Sequence, residues 1–136
     1  MDLRALSKDV SVSPQLDPAD MRALAAQGFR TIIDNRPDAE VGPDHASDRM
    51  REAAEAAGLE FRYLPFAPVA GLTAELVSGF SDALDLPGPV VAYCRSGTRS
   101  ATLWALAQNG HLSADEVIAA GAAAGYDLSS VARRLR

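Results

Sequence analysis

Short apolar, β-branched runs alternate with helical segments along this 136-residue chain. Strands that alternate with helices pair in parallel, and a parallel sheet needs helices on both of its faces. The pattern therefore predicts a single three-layer α/β domain over residues 1–136, with a mostly parallel central sheet of about four or five strands. Residues 10–13 (Val-Ser-Val-Ser) alternate with period two and read as the first strand. Asp17 and Pro18 read as the N-cap and first residue of a helix; Met21, Leu24 and Ala25 form its apolar face and Gly28 ends it. The run 30–34 is the second strand, and Asn35-Arg36-Pro37-Asp38 stops it. A helix over 48–57, closed by Gly58, leads to a third strand at 61–64, which Pro65 ends. Thr73 caps a helix to about Leu84, and Pro87-Gly88-Pro89 turns the chain into a strand at 90–93. The helix predicted over 99–109 is apolar nearly all round, which implies burial, with Trp104 in the core and Gly110 as its stop. Ser113 and Glu116 match a capping box, and 129–136 reads as a last short helix with a basic, solvated end.

Ligands of such sheets bind beyond the carboxyl ends of the strands. At one such end stands the only cysteine of the chain, Cys94, followed by Arg95-Ser96-Gly97-Thr98-Arg99-Ser100 and then a helix. That order sets a thiol at the mouth of a loop whose backbone amides point inward, at the positive end of a helix dipole. Such a setting favours the thiolate, which is the nucleophile, and it holds anions. A lone cysteine beside a strand is otherwise a small buried hydrophobe. A core strand end has no use for two arginines, two serines, a threonine and a glycine in the next six positions, so the catalytic reading prevails. The loops 34–40 and 65–73 also follow strands and are expected at the same rim, with Arg36 as a rim candidate whose plain alternative is a surface arginine bonding its own turn.

Composition narrows the partners. The formal charge is −5, so general nucleic-acid binding is not expected and an anionic ligand must be caught locally. One cysteine excludes an internal disulfide. His45 and His111 are far apart, without ligand spacing, and read as surface residues; no metal and no cofactor are expected. No run approaches membrane-spanning length and the N-terminus lacks a signal-peptide pattern, so the expected location is cytoplasmic.

The order strand, cysteine, loop, arginine, helix is shared by cysteine-dependent phosphatases and rhodanese-type sulfurtransferases. The element order resembles a small dual-specificity phosphatase. Residues 28–40 (Gly-Phe-Arg-Thr-Ile-Ile-Asp-Asn-Arg-Pro-Asp-Ala-Glu) together with 93–100 (Tyr-Cys-Arg-Ser-Gly-Thr-Arg-Ser) resemble the bacterial DUF442 family over nearly the whole chain. The resemblance implies a phosphatase-like fold, in a family whose domains stand alone or are fused to a persulfide dioxygenase of the metallo-β-lactamase fold. Such a dioxygenase is then an expected partner.

Three departures from the phosphatases bear on the reaction. Four residues separate Cys94 from Arg99, one fewer than in the phosphatases and as in the shorter rhodanese loops. The segment 65–72, where a phosphatase of this shape carries its aspartic general acid, has no acid. Asp34 and Asp38 lie elsewhere and are candidate substitutes for that acid, each read first as a turn residue beside Pro37. Tyr93 stands where a histidine is usual. These departures favour a sulfurtransferase that carries sulfane sulfur as a Cys94 persulfide, taking it from a small anionic or persulfide donor. In that scheme the amides of 95–99 steady the sulfur anion, Arg99 orients the donor, and Arg95 faces solvent to recruit it. Ser96, Thr98 and Ser100 are placed to hydrogen-bond the thiolate, Ser100 equally to cap the helix. The alternative is a phosphoester hydrolase with the same nucleophile, and the second alternative a non-catalytic anion-binding module.

Overall fold

The computed structural model describes residues 1–69 and 71–135, so Ala70 of the 65–72 segment and the terminal Arg136 lie outside the described residues. Among the described residues five strands form one sheet: β1 Arg4–Ala5, β2 Val10–Ser13, β3 Thr31–Asp34, β4 Glu60–Tyr63 and β5 Val90–Tyr93. Their order is β1-β2-β5-β3-β4, with β1 antiparallel to β2 and every other pair parallel. The short edge strand β1 has no alternating apolar pattern and escaped the sequence reading.

Among the described residues six α-helices flank the sheet: α1 Asp20–Ala26, α2 Ser47–Ala56, α3 Ala74–Leu84, α4 Thr98–Ala107, α5 Ala114–Ala124 and α6 Ser129–Ala132. Side chains alternate across a strand, so β5 serves two cores. Val90 and Ala92 pack with Phe80, Leu103, Trp104 and Val117 on one face; Val91 and Tyr93 pack with Met21, Met50 and Phe61 on the other. Trp104 is buried, as expected, because α4 packs Ala101, Leu103, Trp104 and Ala105 into the first of these cores.

Several local expectations are corrected. The helix expected from Asp17 and Pro18 begins at Asp20, after a turn closed by Asp20 N–H to Asp17 O at 2.9 Å. Asp20 Oδ2 accepts from the Asp17 amide, which reverses the expected capping direction. The Asp17 carboxylate instead faces His45, a surface histidine that is thereby paired. Helix α2 starts at Ser47 because Asp38, nine residues upstream, accepts from both its amide (2.7 Å) and its hydroxyl (2.8 Å). The capping box of Ser113 and Glu116 is present, and Thr73 Oγ1 caps α3 as read. The last helix stops at Ala132, short of the range 129–136. Among the described residues no helix is long and apolar enough to cross a membrane.

Candidate active site

Parallel pairing brings the ends of β2, β3 and β5 side by side: Ser13, Asp34 and Tyr93 share one register line. The next residue of β5 is Cys94, whose amide still donates to Ser13 O at 3.3 Å. Period two then assigns the faces. Cys94 and Asn35 point towards α4, whereas Tyr93 and Asp34 point towards α1 and α2.

Cys94 is fully buried, as a packed hydrophobe would be. What separates it from one is the Gly97 N–H, which donates to its Sγ at 3.1 Å. Gly97 stands immediately before α4 with φ 94°, a left-handed conformation that other residues adopt at a cost. That conformation turns the loop so that its amide faces back to the sulfur. The loop is not the uniform ring of amides expected: the Thr98 N–H is taken up by Ser96 Oγ at 3.4 Å.

Arg99 lies in the first turn of α4. Its guanidinium forks onto Glu40, at 2.9 Å and 2.7 Å, and donates to Phe66 O at 2.8 Å. The loops after β3 and β4 thus both reach the rim, as the sequence led us to expect. Glu40 holds the charge on Arg99, and Cys94 is close enough to reinforce it. Conversely, the hydrogen bonds from Arg99 keep the Glu40 carboxyl below its ordinary value, so this group is a carboxylate and not a proton donor.

Arg36 joins the same network, through Glu40 Oε1 at 3.4 Å, Glu40 O at 3.2 Å and Gln15 Oε1 at 3.1 Å. It is half-buried and bonds its own turn through Glu40 O. In the sequence Glu40 is only the last residue of the 28–40 motif. Its role was out of reach because Glu40 and Arg99 are 59 residues apart and meet only through the sheet.

The hydroxyls expected around the thiolate do other work. Ser100 Oγ donates to Asn35 Oδ1 at 2.8 Å, and Asn35 Nδ2 donates to Leu64 O at 2.8 Å. That chain of bonds ties α4 to the ends of β3 and β4. Ser96 Oγ and Thr98 Oγ1 bond each other at 3.1 Å on the exposed side of the loop. Arg95 is exposed, as expected, and its carbonyl accepts from the Gln15 amide. No cluster suited to a metal ion occurs among the described residues. The largest cavity described, about 740 Å³ and lined by Val77, Leu106 and His111, includes none of the loop residues 94–100.

On the opposite face Asp34 is buried, and burial lifts its carboxyl from 3.8 to about 6, against the pull of the Arg36 amide it accepts from at 2.9 Å. The Tyr93 hydroxyl beside it is buried without a partner in hydrogen-bonding geometry. Asp34 is therefore an interior carboxyl at a strand end and not the turn residue expected.

The family model described as the phosphatase-like domain of beta-lactamase hydrolase-like proteins matches residues 2–111. A beta-lactamase hydrolase-like protein of Agrobacterium fabrum is 30% identical over 132 residues, which cover 96% of this chain and 31% of that protein. The chain thus spans about a third of the length of the curated relatives it matches. Among solved structures, a candidate phosphatase from Neisseria meningitidis superposes with a TM-score of 0.82 at 32% identity, covering 98% of this chain and 96% of its own. A candidate phosphatase of the DUF442 group from Shewanella putrefaciens gives 0.73 at 18% identity, covering 98% and 89%. The fold is that of the cysteine phosphatases of dual-specificity type. These likenesses support the phosphatase reading over the sulfurtransferase favoured on loop spacing.

Proposed function

This chain belongs to the phosphatase-like domain family of the beta-lactamase hydrolase-like proteins, and from that membership and the Cys94 site we propose that it hydrolyses phosphoesters through a phosphocysteine. The observation that carries the reading is the Gly97 N–H aimed at Cys94 Sγ, with Arg99 in the first turn of the helix that follows. The Cys94 thiolate attacks phosphorus, the S–P bond forms, and the ester oxygen leaves with its electron pair. Water then attacks the phosphocysteine, the S–P bond breaks, and inorganic phosphate and the thiolate are released. Backbone N–H groups and Arg99 bear the charge on the equatorial oxygens. Because Cys94 is fully buried, the phosphoryl group enters as the groups around the sulfur move aside. Arg99 exchanges one oxygen of Glu40 for one of phosphate in that step.

The leaving group receives no proton from 65–72, where the described residues hold no acid, nor from Glu40, which is ionised. Substrates whose oxygen leaves unprotonated, such as aryl phosphates, suit this site. Arg95, at the outer edge of the loop, recruits the dianion.

The test is phosphate release from a series of aryl phosphates. We expect turnover that falls steeply as the leaving phenol becomes more basic and that vanishes in Cys94→Ser. Four residues between Cys94 and Arg99 remain the observation favouring a second reading, sulfur transfer to or from a persulfide-handling partner. Stable, cyanide-labile sulfur on Cys94 after thiosulfate treatment, with no phosphate release, would replace the first reading by the second.

A further inference from the structure

One peptide unit of the loop is gripped at both ends. The bond between Ser96 and Gly97 is trans, so its carbonyl and its N–H point in opposite directions. The N–H end donates to Cys94 Sγ at 3.1 Å. The carbonyl end accepts from the Tyr126 hydroxyl at 3.1 Å. Glycine passes easily between left- and right-handed conformations, so this is the peptide of the loop most prone to rotate. Rotation would turn the Ser96 carbonyl, a negative dipole end, towards the sulfur.

Tyr126 is itself well anchored. It follows Gly125, whose φ of 91° ends α5, and its amide donates to Gly121 O at 2.8 Å. The Arg4 guanidinium lies 6.0 Å from the centre of its ring and donates to Ala124 O at 3.0 Å. The ring packs so closely on the loop that a Cβ at position 97 would fall into the hydroxyl. Burial raises the Tyr126 phenol above its ordinary value, with Cys94 adding to the effect, so the hydroxyl keeps the proton it donates. Tyr126 also lies beyond the residues 2–111 that match the family model.

We infer that Tyr126 is a positioning residue for the reactive thiol, fixing the Ser96–Gly97 peptide with its N–H on Cys94 Sγ through a hydrogen bond to the opposite end of the same peptide. This rests on Cys94 being the nucleophile, and it reaches beyond that reading by giving the C-terminal segment a part in the reaction.

Tyr126→Phe removes the hydroxyl and leaves the ring. On the scale of one hydrogen bond, kcat/KM for an aryl phosphate should fall on the order of tenfold. The pH profile of Cys94 alkylation by iodoacetamide should move up by about one unit, as for a donor lost from an ionised group. A merely structural tyrosine would lower the unfolding temperature without moving that profile. Superimposable alkylation profiles for Tyr126→Phe and the wild type would overturn the inference. Should the variant fail to fold, the wild type still decides. The Gly97 amide resonance must follow the Cys94 titration, and an amide that ignores it refutes the proposed orientation. Alkylation needs no substrate, so an inactive wild type would sink the phosphatase reading alone and leave this test standing.

Discussion

Two faces meet at the carboxyl edge of the sheet, one residue apart in sequence and opposite in character. On the Cys94–Asn35 face nearly every polar group is committed: Asn35 to Ser100 and Leu64, Arg99 to Glu40 and Phe66, Gly97 to the sulfur. On the Tyr93–Asp34 face a carboxyl is buried at the cost of a raised pKa, and a phenol has no partner in bonding geometry. A fully connected polar network fixes geometry, whereas an incompletely satisfied one costs stability. The first face carries the site of the proposed function; the second holds an incompletely satisfied part of the core. Titratable character alone would have pointed to Asp34, and the hydrogen-bond pattern points to its neighbour.

If that contrast is right, substitutions on the first face change activity and those on the second change stability. The largest effect is expected from Arg99→Ala. Loss of its charge should lower kcat/KM for an aryl phosphate on the order of a thousandfold with little change in unfolding temperature. Asp34→Asn comes next and acts in the other currency. The folded carboxyl titrates near 6 against 3.8 unfolded, so wild-type stability is highest below 3.8 and falls as pH rises through about 6. Neutral asparagine escapes that loss, on the order of 3 kcal/mol at pH 7.5. Urea unfolding should show the variant more stable at pH 7.5 and equal to the wild type near pH 4. Glu40→Gln weakens the fork that aims Arg99 and should cost on the order of tenfold in kcat/KM, without the pH-dependent stability change of Asp34→Asn. The smallest effect belongs to Tyr93→Phe. Removing a buried hydroxyl without a partner should leave stability at pH 5 unchanged or raise it by about 1 kcal/mol. A large loss of activity in Tyr93→Phe, or none in Glu40→Gln, would break the division between the faces.

The sequence itself determined the alternation of elements, and with it the parallel sheet, because hydrophobic period and glycine punctuation are local properties. It also determined that Cys94 stands where a strand end meets a helix start, and that Arg99 follows in the first turn. Strand β1 was illegible because two exposed residues carry no pattern, and the α1 cap was misread because Asp17 finds a better partner in His45. The identity of the groups around the sulfur was decided only by tertiary structure. Glu40, Phe66 and Tyr126 come from three separate connections, and only the register of β2, β3 and β5 with the packing of α5 brings them to one loop. Spacing along the chain counts residues. It does not show that one peptide has its N–H on the Cys94 sulfur and its carbonyl on the Tyr126 hydroxyl, because that pairing exists only once α5 has packed against the loop.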